Sequence, residues 1–245
     1  EIYLRGKYNF LPTPELLSVD PNGLWYQETQ ISAMPLNRLD NQEIQDKTLL
    51  EAQRSLLSLY HKTLVKVNIG TYFESLYENC DGLIESLPDV YVQDDKDRIK
   101  GILEILTGHI GISKDYDIDL VQSHGDFQPA NILADNVNQK LYLIDWEYTA
   151  MRSVCYDAFV FATKCRFPQG LSKRVRLILN ETDMSWNWCF KNVSHQLSKL
   201  ELIIFFIEDL SVRLSELQIP NMINKDSGLD IWLHEVQKID WLIHD

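Results

Sequence analysis

His124-Gly125-Asp126-Phe127-Gln128-Pro129-Ala130-Asn131, followed after a short apolar run by Leu143-Ile144-Asp145-Trp146-Glu147, decides how this chain is read. The two segments set an aspartate, an asparagine and a second aspartate at a spacing that can hold Mg²⁺ and a triphosphate beside an acceptor hydroxyl. Phosphoryl transfer has a loose transition state, so a protein that catalyses it mainly positions the hydroxyl and neutralises phosphate charge. Asp126 follows the apolar pair Leu120-Val121 and is expected in a loop, accepting the hydrogen bond of the acceptor's hydroxyl. Its task is orientation, with the proton leaving late. Asn131 offers an amide oxygen and Asp145 a charged carboxylate, which suits a hard cation that keeps phosphates or waters in its other positions. For Asp126 and Asn131 alone the plainer reading is a turn with capping side chains; Asp145 downstream argues against it.

The order of elements supports that geometry. Asn131-Ile132-Leu133-Ala134 and Lys140-Leu141-Tyr142-Leu143-Ile144 read as two short strands around the turn Asp135-Asn136-Val137-Asn138-Gln139. A hairpin brings its two ends together, and those ends carry Asn131 and Asp145.

H-G-D-F-Q-P-A-N-I-L followed by L-I-D-W-E-Y-T resembles the aminoglycoside phosphotransferase and choline/ethanolamine kinase superfamily, whose members share the protein-kinase-like fold. Tyr156-Asp157 is similar to the later Y-D or W-D pair of choline-kinase-type sequences. The resemblance implies an α+β fold with a mostly helical C-lobe, a catalytic β-hairpin and a truncated, β-rich N-lobe remnant. It implies Asp126 as the catalytic aspartate, Asn131 and Asp145 as magnesium ligands and nucleotide contacts, Asp157 as a buried brace for the catalytic loop, and His124 as a packing residue beneath that loop. Glu147 is open between two roles, assisting metal or substrate and serving as a structural acceptor. ATP and Mg²⁺ are the implied co-substrate and cofactor.

The resemblance extends upstream with less specificity. Leu11-Pro12-Thr13-Pro14-Glu15-Leu16-Leu17, Leu24-Trp25-Tyr26-Gln27-Glu28 and Met34-Pro35-Leu36 resemble the strand, hinge and post-hinge segments that join the two lobes, with Glu28 as an implied nucleotide contact. Residues 1–39 are thus expected to form the N-lobe remnant and hinge, and 40–245 the C-lobe. One departure stands out: no strand with a V-x-K character and no glycine-rich phosphate loop precedes Leu11, and the chain opens on Glu1. The expectation is a fragment whose nucleotide-covering elements lie upstream, with a degenerate kinase as the alternative.

Composition narrows the partners. The 245 residues, 45% hydrophobic, can bury a sizeable core. A net charge of −13, from 23 basic and 36 acidic residues, argues against nucleic acid as the main partner and is compatible with a cationic substrate. Cys80, Cys155, Cys165 and Cys189 have no C-x-x-C spacing and read as thiols of a reducing, cytoplasmic compartment. No apolar run reaches the ~18 to 20 residues that span a bilayer.

Apolar spacing predicts helices over Asn41 to Val67, Tyr72 to Cys80 with a stop by Gly82, Asp94 to His109, Asp157 to Arg166, Ser172 to Leu179, Trp186 to Leu217 and Leu229 to Ile243. The later helices carry Trp186, Trp188, Phe190, Phe205, Phe206, Trp232 and Trp241 beside Glu181, Asp183, Glu208 and Asp209. Trp186, Glu208 and Asp209 are the candidate acceptor contacts, because aromatic faces with nearby carboxylates can hold an ammonium group. Aromatics at helical spacing are more often core. The acceptor stays open between an amino alcohol such as choline or ethanolamine, favoured by I-D-W-E-Y, and an aminoglycoside or sugar, favoured by H-G-D; Arg152 weighs against a cation. A non-catalytic kinase-like module and a protein kinase are the competing classes. The short stretch from Asp145 to Asp157 leaves little room for a peptide-docking segment, which puts a small acceptor first.

Overall fold

The computed structural model describes residues 7–22, 26–108, 117–135, 138–180, 187–189, 195–218 and 228–239. They divide into two compact units, one of residues 1–64 and 121–151, the other of 65–120 and 152–245. This border differs from a division at residue 40, because the first long helix belongs with the hairpin that it covers. The border falls inside two strands, at 120/121 and at 151/152.

In the first unit, β1 (Leu16–Val19) and β2 (Tyr26–Glu28) pair antiparallel, with an irregularity between Leu16 and Ser18. A second sheet has the order β3-β6-β7, from β3 (Met34–Pro35), β6 (Ile132–Asp135) and β7 (Lys140–Leu143). Its β6–β7 hairpin aligns Ile132 with Leu143 and Asp135 with Lys140, as the two predicted strands require. The turn is held by Asp135, whose carboxylate accepts from the Asn138 backbone N–H at 3.0 Å and from its side-chain amide at 2.7 Å. Gln139 takes a left-handed φ of 52° to close it. Helix α1 (Gln42–Thr63) starts at Asn41, whose side chain accepts from the Ile44 N–H at 3.2 Å. Its buried face, Ala52, Leu56, Leu59 and Tyr60, packs on β6 and β7 beside Leu133 and Leu143.

The second unit holds the strand pair β4 (Val65–Asn68) and β5 (Asp117–Ser123), in register from Val65 with Leu120 to Asn68 with Asp117. β8 (Ala150–Ser153) is the third strand of this sheet, in the order β4-β5-β8. Helices α2 (Ile69–Glu85), α3 (Gln93–Gly108) and α6 (His195–Glu216) pack against one another, and α4 (Tyr156–Thr163), α5 (Leu171–Leu179) and α7 (Leu229–Gln237) complete the unit. Gly82 does not stop α2, which runs three residues further to Glu85. A single interior glycine costs a helix only ~1 kcal/mol, which tertiary packing overrides. Of the helix expected from Trp186 to Leu217, the described residues show a 3-10 turn at Asn187–Cys189 and α6 from His195 to Glu216.

Among the described residues no helix is long and apolar enough to cross a membrane.

Candidate active site

The loop that carries Asp126 follows β5, whose last residues in the first unit include the buried Val121 and Ser123. In the first unit, Ser123 donates through Oγ to the Ala150 carbonyl at 3.0 Å, and Thr149 donates to the Ser123 carbonyl at 2.7 Å. Gly125 then turns with φ of 90°, and a Cβ there would overlap the Tyr148 carbonyl. Only glycine supplies both the conformation and the close approach. Phe127, completely buried, meets the His124 ring edge-on at 6.2 Å between centroids.

This turn aims Asp126, which is 8% exposed, into a set of amide donors. Its Oδ2 accepts from Gln128 Nε2 at 2.9 Å and from Asn131 Nδ2 at 2.8 Å. Asn131 Nδ2 also donates to the Asp126 carbonyl at 3.0 Å. The amide nitrogen of Asn131 is thereby committed to Asp126, which leaves its oxygen as the atom suited to a cation. His124, fully buried, accepts the Asp126 N–H on Nδ1 at 3.3 Å and packs its ring 4.3 Å from that of Trp146.

The hairpin brings the second acid alongside. The Ile144 N–H donates to the Asn131 carbonyl at 3.1 Å, so Asp145 begins one residue beyond a backbone bond to Asn131. Asp145 takes a left-handed conformation, φ 61° and ψ 57°, which few non-glycine residues adopt, aspartate more readily than most, and which can cost ~1–3 kcal/mol. Trp146 holds the turn that follows, donating its indole N–H to the Leu143 carbonyl at 3.0 Å. Asp145 and Glu147 are exposed while Trp146 is buried. Among the described residues no group of three or more His, Cys, Asp or Glu forms a metal cage. One carboxylate with one amide oxygen fits Mg²⁺, which takes few protein ligands and completes its shell with phosphates and water.

The other sequence-derived candidates fall elsewhere. Glu28 is an exposed residue of β2, opposite Leu16. Trp186 lies outside the described residues, as do Glu181, Asp183, Phe190 and Trp241. In the second unit, Asp157 is fully buried in the first turn of α4, where a carboxylate favours the helix dipole. Glu208, also buried, accepts from the Tyr72 hydroxyl at 2.5 Å and from Ser153 through its N–H at 2.6 Å and Oγ at 2.8 Å. Burial raises the pKa of Glu208, opposed by these donors and by Arg152. Asp209, wholly buried, meets Arg213 Nε at 2.9 Å; burial works against its charge, and Arg213 with Arg166 nevertheless holds its pKa below the ordinary value. Both carboxylates are engaged by internal partners, in place of the expected acceptor contacts. Phe205, Phe206 and Trp232 are likewise fully buried and stacked along α6 and α7, which makes them core.

Gln128 was not singled out in the sequence, and nothing in its spacing distinguishes it from a loop residue. A cavity of about 910 Å³ in the first unit, lined by Thr13, Glu15, Thr29, Arg54, Asp135 and Tyr142 among others, contains none of Glu28, Asp126, Asn131 and Asp145.

The family model for choline/ethanolamine kinase matches residues 12–166. Comparison with the curated proteins gives no match. Among solved structures, a thermostable mutant of the aminoglycoside phosphotransferase APH(4)-Ia in its apo form superposes with a TM-score of 0.56 at 14% identity, over 98% of this chain and 80% of that one. A choline/ethanolamine kinase family protein from Mesorhizobium loti gives a TM-score of 0.52 at 15% identity, over 98% and 76%. Plasmodium vivax ethanolamine kinase gives a TM-score of 0.52 at 14% identity, over 98% and 70%. These likenesses establish the protein-kinase-like, α+β fold.

Proposed function

The chain belongs to the choline/ethanolamine kinase family, and from that membership we propose that it is an ATP- and Mg²⁺-dependent phosphotransferase acting on a hydroxyl of a small molecule. The observation that carries this reading is the clamp on Asp126: two side-chain amides, Gln128 and Asn131, fix the same oxygen. That arrangement orients the carboxylate so that Oδ1 receives the acceptor's hydroxyl hydrogen. Asp126 thus selects the direction of attack and takes the proton as the new bond forms. Asn131, through its oxygen, and Asp145 would hold magnesium. Held there, the ion would supply positive charge to neutralise that of the nucleotide's phosphates. The bond from the Ile144 N–H to the Asn131 carbonyl puts Asp145 one residue from the Asn131 backbone, which supports a shared ion.

For the acceptor we propose a cationic alcohol, an amino alcohol or amino sugar. Glu147 is an exposed carboxylate two residues beyond Asp145, and we assign it to the ammonium group. In the second unit the Arg152 guanidinium lies 4.6 Å from the Tyr156 ring centroid, and its charge acts on Glu208. The buried thiols Cys80 and Cys165 suit a reducing, cytoplasmic setting.

The test is transfer of labelled γ-phosphate from ATP to choline, ethanolamine, an aminoglycoside and an amino sugar, with Asp126→Asn as control. Labelling of at least one acceptor that vanishes in the variant is expected. Turnover unchanged in Asp126→Asn would contradict the reading.

A further inference from the structure

The second unit brings two thiols and a carboxylate into contact. Cys155, fully buried, stands at the N-terminus of α4, and the Cys189 thiol donates to its sulfur across 3.8 Å. Cys189 is half-buried in the Asn187–Cys189 turn. Glu201 of α6 shares a hydrogen bond with the Cys155 thiol. Cys80 and Cys165 are placed differently, with their thiols directed at oxygens, the Ile207 carbonyl and the Asp209 carboxylate.

We propose that Cys155 and Cys189 are a peroxide-responsive dithiol that closes to a disulfide tying the Asn187–Cys189 turn to the start of α4, with Glu201 as the proton acceptor. The sulfurs stand 3.8 Å apart, near van der Waals contact, and a disulfide brings them to ~2.05 Å. Exposure sets the order of events. Cys189 is the sulfur that a hydroperoxide reaches, whereas Cys155 is sealed. The Cys189 thiolate attacks one peroxide oxygen; an S–O bond forms, the O–O bond breaks, and the departing hydroxide is protonated to water. Cys155 sulfur then attacks the Cys189 sulfur, its proton passing to Glu201. The S–S bond forms, the S–O bond breaks, and hydroxide leaves with that proton as a second water. Two thiols lose two electrons and two protons, and the peroxide accepts them.

Glu201 is matched to this task. Burial pushes its pKa up to about 7, with Glu208 and Asp119 adding repulsion and the Cys155 hydrogen bond opposing. Burial and the contacts with Cys189 and Glu201 push the Cys155 thiol well above its ordinary value. A local base is therefore needed for the second step.

The experiment is non-reducing peptide mapping of the full chain after exposure to hydrogen peroxide. Loss of two hydrogens, a linked Cys155–Cys189 peptide pair and reversal by dithiothreitol are expected. In Cys155→Ser, dimedone should capture a sulfenic acid at Cys189. In Glu201→Gln, closure should slow by on the order of tenfold or more. The wild-type map needs no variant to fold. A folded chain that yields no 155–189 pair, or that links Cys80 or Cys165 instead, overturns the proposal. An unchanged rate in Glu201→Gln overturns the role of Glu201.

Discussion

Gln128 and Asn131 hold one oxygen of Asp126, and a glycine that tolerates no Cβ holds its backbone. Asp126→Asn should cut phosphotransfer at least 100-fold while nucleotide affinity stays within about twofold, because only the acceptor loses its orienting group; steady-state rates beside nucleotide titrations check this. Gln128→Leu should lower kcat by about tenfold, since a hydrogen bond to a charged group is worth ~1.5–3 kcal/mol and Asn131 still supplies one. An unaltered kcat would remove Gln128 from the site. Gly125→Ala should destabilise the protein by more than the ~1–3 kcal/mol of an unfavourable backbone conformation, as the new methyl also meets the Tyr148 carbonyl. Thermal unfolding measures that loss directly. That Asp126, Asn131 and Asp145 lie on one loop and the adjoining hairpin was legible from type and spacing. The part played by Gln128 was not, because which loop amide turns inward depends on the φ of Gly125 and the burial of Phe127.

At the level of elements, the strongest sequence signals were those with local physical causes. Asn41 caps α1 as its side chain permits, and two short apolar runs on either side of the Asp135–Gln139 turn made the β6–β7 hairpin readable. β4 was hidden within the expected helix to Val67, because Val65-Lys66-Val67-Asn68 follows α1 without a glycine or proline to mark the change. Its strand character comes from pairing with β5, a partner far away in sequence. Burial on α6 gives an element-scale prediction. Glu201 has its pKa raised in the fold to about 7, above the ordinary 4.5, so the folded state binds this proton more tightly than the unfolded chain. Its contribution to stability is complete below about pH 4.5 and is lost as the pH climbs to about 7. Cys155, Glu208 and Asp119 are the groups that act on it. Melting temperatures of wild type and Glu201→Gln across that window should diverge with rising pH, the variant falling less. Parallel curves would show that Glu201 is ionised normally.

Across the whole molecule, the family and fold were legible from segments 124–131 and 143–147, since each is contiguous and distinctive in residue type. The acceptor side was not. Aromatic residues at helical spacing serve a cage or a core equally well on paper, and Phe205, Phe206 and Trp232 became core because α6 is enclosed by its neighbours. Glu208 and Asp209 followed them inward and drew Tyr72, Ser153 and Arg213 as partners. The proposed chemistry also needs one magnesium ion shared by Asn131 and Asp145. Calorimetric titration of the chain with ATP, with and without Mg²⁺ and in wild type and Asp145→Asn, tests it most directly. Binding that requires Mg²⁺ in the wild type and disappears in Asp145→Asn is the predicted result; Mg²⁺-dependent binding of equal strength in both proteins would contradict it.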